Sequence, residues 1–319
     1  MVRYLLRRLW QSIPLFLGVV VLNFLLIHAA PGDPIATLAG ERSTAEFQAR
    51  LRHELGLDQP LHVQLTRYLA HASRGDLGYS FTFQQPVLPL IFDRLPETLL
   101  LMGTSFVVSA LLGVWVGVST AVHTKSAGWN AATIVLLAGY SVPSFWLGQL
   151  FILVFAVAVN WFPIFGMTSL AGYTGIRHWT DVAWHLVLPA ATLTAYNLAL
   201  ITRLTRVSML EVLDQDYILA AKGKGLPSQT VIYRHGLRNA LLPVVTVFGL
   251  HVGTMIAGFV LVETVFGWPG LGRLTYEAIT ARDYPVISGM FVFISEVVIL
   301  TNIVTDLVYA FVDPRIRYG

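Results

Sequence analysis

The sequence predicts an all-α polytopic membrane protein with six membrane-spanning helices. Of its 319 residues, 55% are hydrophobic and only 12% are charged, about half of the roughly 25% that a soluble domain carries. Apolar runs long enough to cross a bilayer, which takes about 20 residues, recur along the whole chain. They are residues 9–30, 98–122, 130–159, 182–202, 240–262 and 286–312.

Two of these runs need closer inspection. The first follows three arginines and ends in Ala29-Ala30, a pattern that a cleaved secretory signal peptide would share. Its length favours a retained span. In the 130–159 run, Pro143 is expected to kink or break the helix because proline removes a backbone donor.

The distribution of lysine and arginine predicts that both termini are cytoplasmic. With the N-terminus inside, the inside segments hold 12 of the 21 cationic residues, and the short outside segments 160–181 and 263–285 hold 3. Cytoplasmic loops carry the excess of positive charge, and the rule applies best to short loops. Segment 203–239 is therefore predicted to be cytoplasmic, and segment 31–97 extracytoplasmic.

Segment 31–97 is predicted to form two short amphipathic helices lying against the membrane-embedded body. Ser43 or Thr44 can cap the first helix and Gly56 can end it. Pro60 can open the second helix, which is expected to end near Gly75. A separate domain is disfavoured because so few apolar residues make a marginal core.

The longest polar interruption in the second half of the chain, Ser208–Pro243, has the signals of short helices. Ser208 and Glu211 have the spacing of a capping box. Gly223 and Gly225 permit the left-handed conformation that ends a helix. Pro227 then prevents continuation, and Ser228 can cap a second helix.

Within this stretch, Leu210, Leu213, Tyr217 and Ala220-Ala221 recur at helical spacing and predict one apolar stripe. A solvated basic loop that follows the positive-inside rule is the alternative interpretation. That alternative explains the cations, but it leaves the stripe facing water without a partner. The stretch is therefore predicted to bind a partner protein.

The chain resembles permease subunits of ABC importers of the dipeptide/oligopeptide/nickel group over essentially its whole length. The cytoplasmic stretch carries DYILAAKGKGL followed by RHGLRNALLPVVT. The other matching segments, in order, are MVRYLLRRLWQSIP, PGDP, RHELGLDQPL, GDLGYSF, RLPETL, GYSVPSFWLG, ETVFGWPGLGRL, ARDYP and DPRIRY.

This resemblance implies a type I ABC importer permease fold in which the cytoplasmic stretch is the coupling helix that contacts an ATPase. The residues it assigns to that contact are Tyr217, Ala220, Ala221, Lys222, Gly225 and Leu226. One position departs from the general ABC-permease motif, because Leu219 stands where that motif has a glutamate. A glutamate-mediated contact is therefore not implied here.

The implied partners are a second homologous permease, two ATPase subunits or domains, and an extracytoplasmic substrate-binding protein, within membrane lipid. ATP and magnesium are expected on the ATPases, no cofactor in this chain and no nucleic-acid partner. The implied substrate is a di- or oligopeptide, with nickel, glutathione or an oligosaccharide as alternatives. The location implied is a bacterial or archaeal cell membrane, which is the inner membrane in a Gram-negative cell.

Catalytic interpretations find no support in the sequence. There is no GxxxxGK[ST] motif for a nucleotide and no cysteine. His53-Glu54 lacks the second histidine of a zinc-protease helix, and Ser141 lacks the second glycine of a nucleophile elbow. A secondary transporter would need no ATPase, but it usually has inverted repeats and broken spans, for which Pro143 alone is weak support. An intramembrane enzyme would need a nucleophilic side chain paired with a general base inside the bilayer, and the predicted spans show no such pair.

Polar residues inside predicted spans are candidates for a polar pathway or for structural pairing, because intramembrane charge is costly. They are Glu296, Asp306, His251 and Asn197. Asp306 lies near the cytoplasmic end, where a structural role is favoured. His251, and His28 in the first run, lack a second ligand at helical spacing, so a hydrogen-bonded histidine is favoured over a metal ligand.

Small residues mark two further features. Gly113-xxx-Gly117 and Gly249-xxx-Gly253 have the spacing of close helix approach and suggest a subunit interface. The outer turn with Trp268, Pro269 and Gly270 requires tight turns and, with a short helix after it, could cover the pathway as a gate. A plain connecting loop is the alternative for this turn.

Overall fold

The computed structural model describes residues 2–29, 44–54 and 56–312, with side chains except at 2–7, 9, 27, 51, 54, 137–138, 246–259 and 305–312. This part of the chain is mostly helical. Its helices are α1 (Val2–Ala29), α2 (Ala45–Glu54), α3 (Leu61–Ala72), α4 (Val87–Val122), α5 (Ala127–Tyr140), α6 (Ser144–Phe151), α7 (Ile176–Leu213), α8 (Asp216–Gly223), α9 (Arg238–Phe266), α10 (Leu271–Ala281) and α11 (Tyr284–Val312). Two π-helical segments, Ile152–Ala158 and Thr230–Leu237, follow α6 and precede α9.

Three of these helices, within the part of the chain that the structure describes, are long and apolar enough to cross a membrane. They are α4, α7 and the Tyr284–Val304 portion of α11. Shorter apolar helical stretches occupy Trp10–Leu26, Ala127–Leu136 and Ser144–Ala158. The predicted run 240–262 falls on α9, where the side chains at 246–259 lie outside the described residues. The six-span count stays a prediction.

The helices form two compact units. Described residues up to Pro96, together with Gly270–Val304, form the first unit. Glu97–Pro269 and the described residues from Thr305 onward form the second.

In the second unit, Pro143 interrupts the helix as predicted. α5 ends at Tyr140, and Pro143 takes an extended conformation (φ −57°, ψ 134°) before α6 begins at Ser144. The ring of Tyr140, at the end of α5, stacks on Tyr196 of α7 at a centroid distance of 5.0 Å. The break therefore turns one apolar run into two short helices, the second of which continues as the π-helical segment Ile152–Ala158.

The core of the second unit is a cluster of buried side chains from α4, the π-helical segment Ile152–Ala158, α7, α9 and the turn after α9. α7 contributes the largest share. Its fully described members are Leu101, Ala156, Val182, Leu186, Leu188, Ala190, Leu193, Ile201, Val244, Val262, Phe266 and Trp268. Gly148 of α6 allows the close approach of the Phe266 ring, because a Cβ there would lie 3.0 Å from Cε2 of that ring.

α4 and α7 cross at Gly113 and Gly117. A Cβ added at Gly113 would lie 2.7 Å from the Ile201 side chain, and one at Gly117 would lie 2.5 Å from Cβ of Thr205 and 2.9 Å from the Thr202 carbonyl oxygen. The prediction of close helix approach at these glycines is confirmed, but the suggested subunit interface is wrong. Their partner is α7 of the same chain, because both glycines face it. Gly249 and Gly253 lie outside the residues with described side chains.

In the first unit, α2 and α3 are the two short helices that the sequence predicts between residues 31 and 97. The Thr44 hydroxyl accepts a hydrogen bond from the Phe47 amide at 3.3 Å and caps α2. Gly56 (φ +67°) follows α2 and Gly75 (φ +76°) follows α3, where left-handed backbone favours glycine. Ser43 lies outside the described residues.

Paired histidines and aspartates close the turns after α2 and α3. His53 Nδ1 lies 2.7 Å from Asp58 Oδ2, and His71 Nδ1 lies 2.7 Å from Asp76 Oδ2. The Gly78 amide donates to Asp76 at 3.0 Å. The pKa of the Asp76 carboxyl is held below its ordinary value, mainly by the hydrogen bond from the Gly78 amide and to a smaller extent by His71.

A buried polar contact links α1, α3 and α11 in the first unit. Asn23 Nδ2 donates to the Ser288 hydroxyl at 3.0 Å, and the Tyr68 hydroxyl lies 2.5 Å from the same Ser288 oxygen. Burial raises the pKa of the Tyr68 hydroxyl, although Ser288 and Asn23 hydrogen-bond to it. In α1, both ring nitrogens of His28 are hydrogen-bonded, to the Phe24 carbonyl at 2.8 Å and to Gln64 at 3.0 Å.

A two-stranded antiparallel hairpin, β1 (Tyr79–Ser80) and β2 (Gln85–Pro86), is held to the start of α11 by Asp283. The Ser80 hydroxyl donates to Asp283 Oδ2 at 2.6 Å and the Thr82 amide donates to the same oxygen at 3.2 Å. The Val286 amide donates to Oδ1 at 3.3 Å, so one buried carboxylate both caps α11 and positions the hairpin.

The α4–α7 crossing generates a stability prediction. Gly117→Ala places a methyl group against backbone and Cβ atoms that have no room to move. We expect it to destabilise the protein by about 1–3 kcal/mol, the usual cost of overpacking. Loss of folded protein on heating in detergent, followed by size-exclusion chromatography, measures the effect.

Gly103→Ala is the matched control, because Gly103 lies on the same helix and has nothing within 4 Å of its Cβ position. Alanine is the better helix former by about 1 kcal/mol, so this variant should be at least as stable as the unmodified protein. Equal heat stability of the two variants would contradict the crossing.

Candidate functional site

The predicted cytoplasmic stretch folds into a helical hairpin between two long helices of the second unit. α7 ends at Leu213, and a turn through Asp214 and Gln215 leads into α8. After a second turn at residues 224–227, helix resumes at residue 228, passes through the π-helical segment Thr230–Leu237 and continues as α9. We call residues 214–239 the coupling hairpin.

Local sequence determines where α8 begins and ends. Gln215 is extended (φ −79°, ψ 148°), and Asp216 then places a carboxylate in the first turn, where the helix dipole favours negative charge. Lys222 occupies the last turn, where the dipole favours a cation. Gly225 takes a left-handed conformation (φ +77°), and the Leu226 amide then bonds back to the Ala221 carbonyl at 3.4 Å. The predicted helix end is confirmed, with Gly225 as the left-handed glycine and Gly223 inside the helix.

The inner side of the hairpin is a small apolar cluster. Ile218 of α8 is completely buried and Ala221 is 7% exposed. They form one cluster with Val231 of the π-helical segment, and Leu213 at the end of α7 packs against this cluster. Gly236 lies beside α7 as well, because a Cβ there would meet Leu213 at 3.4 Å and Met209 at 3.5 Å. The hairpin is thus packed onto the end of α7.

Two local expectations for this region are wrong. Ser208 and Glu211 lie inside α7, so they do not form a capping box. No glycine or proline stands between Pro189 and Leu213 to end the helix. Because each further residue of a growing helix adds a hydrogen bond, α7 continues through Ser208 and Glu211. The expected single apolar stripe also divides, because Leu210 and Leu213 belong to α7 while Tyr217 and Ala220-Ala221 belong to α8.

The outer side of the hairpin exposes apolar side chains among cations. Leu219 is 57% exposed, Tyr233 53%, Tyr217 43% and Leu226 38%. Ala220 is exposed too. The exposed charged residues of the hairpin are Asp214, Asp216, Lys222, Lys224, Arg234 and Arg238. The surface therefore combines apolar contact area with an excess of positive charge.

A polar contact joins the two legs of the hairpin. Asn239 Nδ2 donates to the Tyr217 hydroxyl at 2.8 Å and lies 3.3 Å from the His235 carbonyl oxygen. The Tyr217 hydroxyl in turn lies within 3.5 Å of that carbonyl oxygen, to which it can donate. Tyr217 therefore belongs to the exposed surface and also links the two legs of the hairpin.

Comparisons with known proteins place the chain in a family. Residues 1–102 match the model described as binding-protein-dependent transport system membrane component, N-terminal, and residues 111–318 match the binding-protein-dependent transport system inner membrane component. The chain belongs to this inner-membrane component family. The predicted family relationship is thereby confirmed.

Relatives in this family match the chain from end to end. The dipeptide transport system permease protein DppB of Escherichia coli (strain K12) is 42% identical, over 100% of this chain and 99% of its own. The oligopeptide transport system permease protein AppB of Bacillus subtilis (strain 168) is 40% identical, over 100% of both chains. The glutathione transport system permease protein GsiC of Salmonella paratyphi A is 41% identical, again over 100% of both.

A solved structure shows the fold of this family member. A chain of the MetNI methionine ABC transporter, in inward-facing conformations, superimposes with a TM-score of 0.54 at 17% identity. The match covers 70% of this chain and 96% of the other. The expected type I ABC importer permease fold is confirmed at this level.

Of the four predicted pathway residues, Asn197 and Glu296 have described side chains, Asn197 in the second unit and Glu296 in the first. Asn197 is buried in α7, and its Nδ2 donates to the Leu193 carbonyl at 3.0 Å, while its Oδ1 has no hydrogen-bond partner. Glu296 lies on α11 with its side chain exposed. The side chains of His251 and Asp306 lie outside the described residues. A pathway role for these four residues stays a prediction.

The turn predicted as an outer gate contains a buried anchor. Trp268 is completely buried, and its indole N–H donates to the Glu97 carbonyl at 2.9 Å. Gly267 (φ +62°) precedes it and packs against the ring of Phe165. Pro269 is the last residue of the Glu97–Pro269 part of the second unit, and Gly270 is the extended residue before α10. Trp268 therefore fastens this end of the turn, and gating by residues 268–270 stays a prediction.

Sequence reasoning missed two buried carboxylates. Glu263 of α9 is completely buried and accepts a hydrogen bond from the Thr98 hydroxyl at 2.7 Å. An acid one residue beyond the apolar run 240–262 was the available signal. Asp283, which holds the hairpin of β1 and β2, had no such signal, because its partner Ser80 is 203 residues away in sequence.

The apolar cluster of the coupling hairpin generates a prediction about its rigidity. Ile218→Ala removes a fully buried side chain, a change that typically costs about 2–5 kcal/mol. Because the cluster is small, the cost should appear as local opening of the hairpin. We expect trypsin to cleave after Lys222 and Lys224 at least about tenfold faster in the purified protein.

Leu219→Ala, at the next position, is the matched control, because that side chain is already 57% exposed. Its cleavage rate should stay close to that of the unmodified protein. If both variants were cleaved at the same rate, Ile218 would not be holding the hairpin together.

Proposed function

We propose that this chain is the permease subunit of an ATP-driven importer of di- or oligopeptides. The observation that carries the proposal is end-to-end similarity, at 40–42% identity, to permeases named for dipeptide and oligopeptide transport. In the proposed arrangement the chain has six spans and cytoplasmic termini. It forms half of a translocation pathway with a second, homologous permease in the cell membrane, which is the inner membrane in a Gram-negative cell.

The coupling hairpin is the proposed contact with a cytoplasmic ATPase. The chain has no P-loop sequence, so ATP and magnesium would bind to partner subunits. Tyr217, Leu219 and Leu226 offer exposed apolar area for an ATPase groove, and Lys222 adds a cation beside them. Burial of such exposed apolar area is the usual driving force of association.

The same hairpin gives a physical route from ATPase movement to the pathway. α8 is tied by its inner cluster to the end of α7 and to the segment that leads into α9. A packed helix transmits displacement to its neighbours, whereas a slack loop absorbs it. Closure of two ATPases would therefore displace α7 and α9 in each permease and alternate the access of the pathway, with substrate delivered by an extracytoplasmic binding protein.

Uptake by the reconstituted complex tests the function. The chain is co-expressed with its permease and ATPase partners, purified and placed in proteoliposomes with the binding protein and radiolabelled dialanine. We expect uptake that requires ATP and is blocked by vanadate. Failure to retain an ATPase through purification, or uptake that a protonophore abolishes while vanadate does not, would contradict the proposal and favour a secondary transporter.

The same assay distinguishes the substrates of the family. Unlabelled tripeptide, glutathione, nickel ion or an oligosaccharide is added as a competitor. A competitor lowers the uptake of labelled dialanine only if it is transported or binds the same binding protein. Glutathione is the second candidate because of the similarity to the glutathione permease. Uptake of labelled glutathione without uptake of dialanine would transfer the assignment to it.

The left-handed turn after α8 generates a prediction about coupling. Gly225→Val forces a β-branched residue to φ +77°, at a cost of about 1–3 kcal/mol, although the space around the residue is open. The strain should move α8 relative to the ATPase. We expect dialanine uptake per ATP hydrolysed to fall by about tenfold, with membrane insertion unchanged.

Gly223→Val is the matched control, because Gly223 is helical and also has open space around its Cβ position. It carries the same side chain without the left-handed strain, so uptake per ATP should remain close to normal. Normal transport by Gly225→Val would remove this residue from the coupling mechanism.

A further inference from the structure

Tyr217 occupies an unusual place in the coupling hairpin, because one exposed side chain both forms part of its surface and joins its two legs. The ring is 43% exposed on α8. Its hydroxyl reaches the other leg of the hairpin, where it accepts from Asn239 Nδ2 at 2.8 Å and approaches the His235 carbonyl oxygen at 3.5 Å. Among the described residues, no other α8 side chain hydrogen-bonds to that leg.

The apolar cluster beneath α8 holds α8 to the end of α7 and to the π-helical segment, but it does not set the register between the two legs of the hairpin. Contacts among Ile218, Ala221 and Val231 have no directional preference, so they leave the exact register of the two legs to other contacts. A hydrogen bond has a defined length and angle. The link through Tyr217 therefore fixes the register between the two legs.

The position of Asn239 makes this register relevant to α9. Asn239 is the second residue of α9, and His235 belongs to the π-helical segment immediately before it. Asn239 Nδ2 also lies 3.3 Å from the His235 carbonyl oxygen, so one amide contacts both the π-helical segment and Tyr217. Short π-helical segments frequently occur at functional sites.

We propose that Tyr217 and Asn239 form a brace that transmits displacement of α8 directly to the start of α9. This inference rests on the proposed function and names positioning residues for it. The Tyr217 ring receives the displacement at the ATPase-facing surface, and the hydroxyl passes it to Asn239. Without the brace, α8 still binds the ATPase and the apolar cluster still holds it to the end of α7, but less of its displacement reaches the start of α9, so ATP is hydrolysed with less transport.

The test uses the complete complex in proteoliposomes, with dialanine uptake and ATP hydrolysis measured on the same preparation. Tyr217→Phe removes the hydroxyl, and Asn239→Leu removes the amide with little change in side-chain size. We expect each variant to lower uptake per ATP by about two- to tenfold, the range for loss of one hydrogen bond. The double variant should be no lower than either single variant, because the two residues act as a unit.

Tyr233→Phe is the matched control. Tyr233 lies on the other leg of the same hairpin and is 53% exposed, and its hydroxyl has no hydrogen-bond partner in the described part of the chain. Uptake per ATP should be unchanged in this variant. The amount of ATPase that co-purifies with each variant should also match the unmodified complex.

Four results would overturn the brace: normal coupling in Tyr217→Phe, losses that multiply in the double variant, an equal loss in Tyr233→Phe, or loss of the ATPase from the complex. The last two would make Tyr217 a surface contact and nothing more. These failures differ from failure of the proposed function, which would appear as absence of ATP-dependent uptake in the unmodified complex and would remove both proposals.

Discussion

The close crossing of α4 and α7 at Gly113 and Gly117 is the constraint on which the second unit depends. With no side chain at position 117, Thr205 and the Thr202 carbonyl can approach the α4 backbone itself. α7 also packs against α5, α6 and α9 and supplies much of the buried core. Fixing α7 against α4 therefore positions the other helices that use it as a support.

The length of α7 carries that constraint to the coupling hairpin. Its 38 residues correspond to about 57 Å at 1.5 Å per residue, and the helix ends where the hairpin begins. α8, with 8 residues, is too short to be stable as an isolated helix in water. Its structure depends on Ile218 and Ala221 packing against the end of α7, so order in the hairpin derives from order in the helix that supports it.

Local chemistry predicted those features that depend on one residue's backbone. Pro143 breaks its helix and Gly225 ends α8, and both were predictable because neither conformation depends on distant residues. Where a local signal competed with a longer element, the longer element prevailed: Ser208 and Glu211 have the spacing of a cap, but the α7 helix continues through them. The glycine spacing at 113 and 117 indicated close approach, but not its partner, since partners are determined by tertiary packing.

Long-range polar contacts were the part that no pattern in the chain could predict. Asp283 lies in the segment ARDYP and Ser80 in GDLGYSF, but nothing local indicates that one carboxylate joins them. Tyr217 and Asn239 are only 22 residues apart, and their contact still depends on the turn between them. The resemblance to a family placed both in the right region, and the structure shows how they are connected.

The exposed Leu219 has a consequence for how the proposed ATPase contact at the coupling hairpin would respond to conditions. An aliphatic side chain that leaves water on binding contributes a negative heat-capacity change, and its contribution weakens on cooling. A glutamate at that position would instead form an ion pair that added salt screens. The contribution of position 219 should therefore vary with temperature and hardly at all with ionic strength, which leaves the neighbouring cations as the salt-sensitive part of the surface.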